Sequence, residues 1–426
     1  MRALRFALRG TLVGALILSQ LVIWFTGWVL LLLTLRRRAQ RKAWFADRLR
    51  ALLRGLGATY VKVGQIMSTR PDLLPPHVIA ALETLQDDVG AFAYRHVERT
   101  FRDDFGRVPE EVFATFDRQP IASASVAQVH RATLPDGREV AVKVRRPRVE
   151  QIVEFDLGIM RALARVIALV PSFRLLAPVE SVDEFGRAIR TQIDLTVEAD
   201  NNRRFHRNFA SMTDVGLPDL VPQLCSARVL TMTFVRGVKL MEHRKVGADP
   251  SRLARIGFQL LLKMVFEDGF VHADLHPGNI LVTREGKVVL IDLGLTAELD
   301  ELHRRVFATY FAAWAGGDGA TMARLMIDHA PGGARPPADY QAFEADVRAF
   351  CDRYNGKALG EVAVSTVVFD MLGILRRHRV RANATFTMVN IAMAMTEGIG
   401  KQLDPRLDLM NEALPFFGRL RAQAKL

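Results

Sequence analysis

Cysteine is nearly absent from this 426-residue chain: Cys225 and Cys351 are the only two, and they lie far apart. That excludes a disulfide framework and a cysteine-built zinc site, and it suits a reducing compartment. No internal repeat, low-complexity tract or G-x4-G-K-[ST] phosphate loop occurs, so nothing supports a P-loop NTPase. Acidic residues are missing from the first 54 positions except for Asp47, against eleven Arg and Lys, so this stretch carries +10 of the chain's +12. The remainder is close to neutral, and a nucleic-acid surface is not implied.

Charge is also missing from residues 11–35, TLVGALILSQLVIWFTGWVLLLLTL. At ~1.5 Å per residue, a helix of this length crosses a ~30 Å hydrocarbon core. A cleaved signal peptide is the competing reading. The run is too long for one, and RRRAQRK follows it in place of a small-residue cleavage site. A retained transmembrane helix is therefore expected. The heavier basic flank (Arg36, Arg37, Arg38, Arg41, Lys42) places residues 36–426 in the cytoplasm by the positive-inside rule, with anionic lipid as a further contact. Residues 386–399 are apolar but too short for a second span and carry Glu397.

Half of the residues are hydrophobic, enough for a sizeable core. Residues 43–115 read as helical and contain YVKVGQIMSTRPDLLPP, in which Lys62 and Gln65 interrupt an apolar helical run. SVAQVHRATL and REVAVKVRR, separated by PDG, predict a β-hairpin. Helical patterns follow over 149–170 and 182–209; in the second, Phe185, Ile189, Ile193 and Val197 recur every four residues. ARVLTMTFVRG predicts a strand ending at Gly237, residues 251–268 a helix, and KVVLIDLG a short buried strand, with helices from about 300 onward. Strand-rich then helical segments predict a small mixed lobe and a helical lobe, with ligands favouring the crevice between them.

Four features carry chemistry. Small residues Ala122, Ser123, Ala124 and Ser125 lead into a strand, either as a loop that lets backbone approach a ligand or as an ordinary tight turn. Lys143 sits in the apolar run VAVKV; it either pairs with an anion such as a nucleotide phosphate or lies exposed on an edge strand. In FVHADLHPGNILV, Asp274 and Asn279 share a segment that Pro277 and Gly278 keep from being helical, and the carboxamide oxygen suits Mg2+. His272 and His276 have zinc-like spacing, but the H-E-x-x-H glutamate is missing. Asp292 ends an apolar strand beside Gly294, as a metal ligand or a turn residue. The order is small-residue loop, strand lysine, helix glutamate, D-x4-N and D-x-G, with twelve residues between Asn279 and Asp292. This is the protein-kinase order.

On these residues the sequence resembles the UbiB family of atypical protein-kinase-like proteins, the AarF-domain kinases, over roughly residues 45–410. KVGQ matches the K-x-G-Q signature, followed by STRPDLLPP and LQDDV; PIASASVAQVH matches the alanine-rich loop, EADN the αC motif, HADLHPGN the catalytic loop, IDLG the metal-binding aspartate, and TEGIGKQLDP a C-terminal segment. The resemblance implies an α+β, bilobal protein-kinase-like fold with a helical N-terminal extension and the transmembrane helix. Its parts are an anchor over 1–42, a K-x-G-Q extension over 43–118, an N-lobe over 119–238 and a helical C-lobe over 239–426. ATP and Mg2+ are the implied cofactors. Ala122, Ser123, Ala124, Ser125 and Lys143 would contact nucleotide, Glu198 would pair with Lys143, Asn279 and Asp292 would hold Mg2+, and Asp274 would take the catalytic position. Lys62 and Gln65 would belong to a regulatory lid over the nucleotide.

The implied role is ATP hydrolysis or small-molecule or lipid phosphorylation supporting ubiquinone or other isoprenoid-lipid metabolism at a membrane, the bacterial inner membrane by this reading. Membrane lipid, isoprenoid or quinone intermediates and quinone-biosynthesis proteins are the implied partners. The alternative is a non-catalytic, nucleotide-gated scaffold or lipid-handling protein, suggested by the alanine-rich loop and by Ala273 standing where kinases carry arginine. Two positions depart from the family: Gln192 replaces a glutamate in the E-x-D motif, and Thr233 stands where hinges often carry a glutamate. With Gln192 in place, Lys62 is expected to pair with Asp194, with nucleotide phosphate, or with Gln192.

Overall fold

The computed structural model describes residues 38–68, 76–83, 90–169, 178–330, 339–354, 364–380 and 383–405, with residues 11, 14, 19, 23, 26, 337 and 416 singly. The apolar run expected to cross a membrane thus lies outside the described residues but for isolated positions, as do residues 69–75 and 84–89. Among the described residues no helix is long and apolar enough to cross a membrane. The chain divides into two compact units: residues up to Val197 with Val221–Thr233, and Glu198–Leu220 with Phe234–Leu426.

The first unit opens with three helices, α1 (Arg38–Leu56), α2 (Ala58–Ser68) and α3 (Pro76–Glu83). They pack on one another through Leu53, Leu56, Tyr60, Val61, Val78 and Leu82. Helices α4 (Arg95–Phe105) and α5 (Pro109–Val112) follow. Strands β1 (Thr115–Phe116), β2 (Ala122–Ser123), β3 (Ala127–Thr133), β4 (Glu139–Arg145) and β6 (Val229–Thr233) form one sheet in the order β1-β3-β4-β6, with β2 also paired to β3. The expected hairpin is β3–β4, in register from Ala127↔Arg145 to Thr133↔Glu139. Its turn closes at Gly137, whose φ of 86° lies in the left-handed region that glycine accepts at least cost.

Period-two alternation sends Val140, Val142 and Val144 to one face of β4, against Val97 and Phe101 of α4. Helices α6 (Val149–Ile167) and α7 (Pro178–Ile193) pack together through Val153, Leu157, Phe185, Ile189 and Ile193, and α2 rests on both.

The helix expected over 182–209 is two helices, α7 and α8 (Leu195–Asn208). Asp194 makes the break: its Oδ1 accepts from the Thr196 N–H at 3.0 Å and the Thr196 hydroxyl at 2.7 Å. A short carboxylate that captures nearby donors stops one helix and caps the next, and it overrides the four-residue apolar spacing that runs through it.

The second unit carries β5 (Val215–Gly216), β7 (Val238–Lys239), β9 (Ile280–Val282) and β10 (Val288–Leu290) in one sheet, ordered β5-β10-β9-β7, and a β8 (Phe270–His272)–β11 (Thr296–Glu298) pair. The strand expected to reach Gly237 stops at Thr233; Val238–Lys239 belongs to this second sheet. The expected 251–268 helix is α9 (Pro250–Leu262) followed by a wider π-helical segment, Lys263–Asp268. Gly269 ends it at φ 58°, with its Cα so close to Leu299 that a Cβ would lie 2.5 Å from that carbonyl oxygen. Helices α10 (Glu301–Ala315), α11 (Gly319–Asp328), α12 (Tyr340–Tyr354), α13 (Val364–Arg377) and α14 (Ala384–Leu403) complete the unit. Phe343, Val347, Phe350, Met371 and Leu372 bind the helical part into its own core.

Candidate functional site

The second unit brings four of the sequence-predicted residues to one place. β8 delivers the chain to Asp274, a short 3-10 turn at Pro277–Asn279 returns it into β9, and β10 ends at Leu290, two residues short of Asp292. Asp292 is thus on a turn beyond the strand rather than at its last position. Backbone bonds tie the two loops together: Ile291 N–H donates to Asn279 O at 3.1 Å, and Ala273 N–H to Leu295 O at 3.0 Å.

Asn279 is oriented by its own amide. Its Nδ2 donates to Asp274 O at 3.1 Å, which leaves the carboxamide oxygen as an acceptor with no donor among the described residues. Asp292 Oδ1 accepts from the Gly294 N–H at 3.1 Å. Glu198, in the first turns of α8, is buried at 5% exposure, and its carboxylate faces the same turn. A Cβ on Gly294 would lie 3.3 Å from Asp292 Oδ1 and 3.7 Å from Glu198 Oε2, so both acids lie against the D-x-G turn. One carboxylate and one carboxamide oxygen, with a second carboxylate at hand, are hard oxygen donors. They fit Mg2+, which keeps some of its waters and takes its other ligands from substrate phosphates. Asn279 and Asp292 would hold the ion.

Sequence reasoning missed two supports of this arrangement. His272 is fully buried, its Nδ1 accepts the Asp274 N–H at 3.1 Å, and its Nε2 lies 2.6 Å from Asp292 O. The first bond requires a bare Nδ1, so Nε2 carries the proton and donates. One neutral ring therefore clips the D-x4-N loop to the D-x-G turn. Burial lowers its pKa below the usual histidine range, against the raising effect of Asp274 and Asp292. His276 likewise spends Nδ1 on the Gly278 N–H at 3.0 Å. Asn201, the last residue of EADN, donates Nδ2 to Leu293 O at 2.8 Å from a buried position. It anchors the D-x-G turn to the helix that carries Glu198. The only trace of these roles in the sequence is a polar residue in an apolar setting, for their partners are backbone atoms.

The first unit holds the rest. Lys143 is 9% exposed and lies on an inner strand between Val129 of β3 and Leu230 of β6, so the edge-strand reading is excluded. Ala122–Ser123 pair with Val129–Gln128, which sets the alanine-rich loop one strand from Lys143. Ser123 Oγ donates to Gly90 O at 2.8 Å, and the Ser125 hydroxyl is buried without a partner among the described residues. Lys62 and Gln65, three apart on α2, are both half-buried beside a buried Gly64.

Among the described residues Lys62 makes no hydrogen bond or ion pair with Asp194 or Gln192. Asp194 is engaged by Thr196, and both amide atoms of the buried Gln192 lack partners among the described residues. Helix capping at the α7–α8 break engages Oδ1 of the Asp194 carboxylate.

Comparison with known proteins agrees with this layout. Residues 84–326 match the ABC1 atypical kinase-like domain, and residues 347–408 match the UbiB helical domain. The class is thus an atypical kinase-like protein of mixed helix and sheet. A curated relative, "Probable protein kinase UbiB" of Vibrio atlanticus (strain LGP32), is 33% identical over 378 residues, covering 87% of this chain and 69% of that protein. The chain belongs to the UbiB family. Among solved structures, the Rv3197–erythromycin complex from Mycobacterium tuberculosis aligns at a TM-score of 0.51 and 21% identity, over 82% of this chain and 90% of that one, a likeness of fold. A Rio2 kinase–ADP/Mg2+–phosphoaspartate complex from Chaetomium thermophilum aligns at a TM-score of only 0.26, with 12% identity over 76% of this chain and 97% of that one.

Proposed function

We propose that this protein is a Mg2+- and ATP-dependent enzyme of atypical kinase type, an ATPase or a small-molecule or lipid kinase, anchored by residues 11–35 in a bacterial inner membrane with residues 36–426 in the cytoplasm. The observation that carries the reading is the orientation of Asn279: its amide nitrogen is spent on Asp274 O, which would leave its oxygen for a cation, on a loop whose Asn279 carbonyl bonds the Ile291 N–H next to Asp292. Lys143, buried on an inner strand, would contact the nucleotide phosphates and pair with Glu198, as family membership implies. Bound Mg2+ would neutralise charge on the nucleotide phosphates. The protein's own groups then do the remaining work: Asn279 and Asp292 fix the donor geometry, His272 and Asn201 hold the two loops in register, and Asp274 accepts the proton of the attacking hydroxyl or water. Phosphoryl transfer needs such positioning and charge placement more than covalent chemistry.

Ala122–Ser125 would form the loop over the phosphates, and the α2 helix with Lys62 and Gln65 a lid that limits which acceptors reach them. Lys62 has no partner among the described residues, and nucleotide phosphate would serve as its counterpart. Family membership favours a role in ubiquinone or other isoprenoid-lipid metabolism, with isoprenoid or quinone intermediates and quinone-biosynthesis proteins as partners. Nucleotide turnover by the purified chain with membranes, and its loss in Asp274→Asn with nucleotide binding retained, tests the enzymatic reading. Full biological activity of Asp274→Asn, read by quinone and isoprenoid profiles after gene replacement, would instead favour the nucleotide-gated scaffold.

A further inference from the structure

A second charged site lies in the first unit. Between α4, the end of β4 and the start of α6 is a cavity of about 260 Å3, equal to about eight water volumes. Arg99, Arg145, Arg146, Arg148 and Arg228 line it with His96, against the carboxylates of Asp103 and Glu150. Five fixed positive charges thus face two negative ones, and those two are engaged: Glu150 Oε2 meets Arg145 at 3.3 Å, and Asp103 Oδ2 meets Arg228 at 3.4 Å. Arg228 is held mainly by Asp104, at 3.0 Å from its Nε. Arg99 and Arg148 are exposed and have no partner among the described residues. His96 feels the surplus: burial and the neighbouring Arg95, Arg99 and Arg148 hold its pKa below the ordinary value.

Arg146 is the unusual member. Among the described residues its guanidinium has no carboxylate partner and bonds neutral acceptors: Gly90 O at 2.8 Å, Ala124 O at 3.0 Å, Ser125 O at 3.2 Å and Ser123 Oγ at 3.4 Å. It stacks over Phe92, 5.3 Å from the ring centre. Burial lowers its pKa with nothing opposing. A partly buried guanidinium without a counter-charge is costly, and an anion in the adjoining cavity would relieve that cost. Three of its acceptors belong to the alanine-rich loop, so its position and the loop's are linked.

We propose that this arginine-lined cavity binds a phosphate-bearing ligand, a diphosphate or the headgroup of an anionic lipid, and that Arg146 transmits its occupancy to residues 122–126. Guanidinium forks match phosphate oxygens in pairs, and the proposal is independent of any nucleotide reaction.

The test uses the purified full chain without nucleotide or Mg2+. Binding of inorganic pyrophosphate and of monomeric dihexanoyl phosphatidic acid is measured by calorimetry, with hydrogen exchange of residues 122–126 as a second readout. The variants are Arg99→Gln and Arg148→Gly; Arg148 sits at φ 59°, which glycine adopts freely, so neither variant disturbs the fold. We expect binding by at least one probe, weakened roughly tenfold by each substitution, with altered exchange in the loop. Tighter binding of pyrophosphate assigns the site to a soluble diphosphate, and tighter binding of the phosphatidic acid assigns it to a lipid headgroup. Binding of neither probe, or binding unchanged in the double variant, overturns the site. Binding without any change in loop exchange overturns the coupling through Arg146.

Discussion

Replacing His272 with alanine is the sharpest perturbation of the loop geometry. The ring is fully buried and satisfies two backbone groups at once, the Asp274 N–H and the Asp292 carbonyl. Each group left unpaired inside the protein costs about 1–3 kcal/mol. The space vacated by the ring adds about 1–2 kcal/mol even after partial relaxation. A total of about 3–8 kcal/mol is expected, a large share of the ~5–15 kcal/mol that holds a typical domain together. Urea unfolding of the purified chain, followed by far-ultraviolet circular dichroism, measures it. His272→Gln places an acceptor and a donor on one side chain and should recover about half of the loss. A destabilisation below about 1 kcal/mol in the alanine variant, or no recovery with glutamine, would refute the clip.

Three further outcomes follow from other parts of the chain. Gln192 is 8% exposed with both amide atoms unpaired among the described residues, so Gln192→Met should raise stability by about 1–2 kcal/mol in the same urea assay; a loss would mean that the amide has a partner. His130 is buried, its Nδ1 lies 2.7 Å from Asp117 O, and burial outweighs that contact to lower its pKa. Its contribution to stability is therefore complete above its unfolded value of about 6.5 and is lost as pH falls below it, by up to about 1.4 kcal/mol per pH unit; His130→Gln should flatten the fall between pH 7 and pH 5, and parallel curves would contradict this. Removing Arg99 and Arg148 from the arginine cavity should weaken phosphate-group binding while leaving thermal unfolding unchanged, because neither side chain has a protein partner among the described residues.

Much of this was legible in the sequence where one local rule governs. The β3–β4 hairpin could be read from alternating Val residues and PDG, because a left-handed glycine and a period of two leave little choice. The gathering of Asp274, Asn279 and Asp292 followed from spacing, since twelve residues between the two loops allow only a short antiparallel return. Asp194 was harder: the apolar positions on either side keep one helical phase, and only the side chain's capture of Thr196 reveals the break. The roles of His272, Asn201 and Arg146 were hidden for a different reason. All three bond to carbonyl or amide groups of the backbone, whose positions depend on the fold and leave no side-chain pattern to match.

The central claim is that Asn279 and Asp292 form, with nucleotide phosphates, a Mg2+ site. Its most direct test is equilibrium binding of ATP to the full chain with and without Mg2+, for the natural sequence and for Asp292→Asn. Removing one charged oxygen ligand should cost on the order of tenfold in Mg2+-dependent affinity. The account predicts ATP binding that strengthens with Mg2+ and loses that dependence in Asp292→Asn while the protein stays folded. ATP binding indifferent to Mg2+, or a Mg2+ effect that survives intact in the variant, would contradict it.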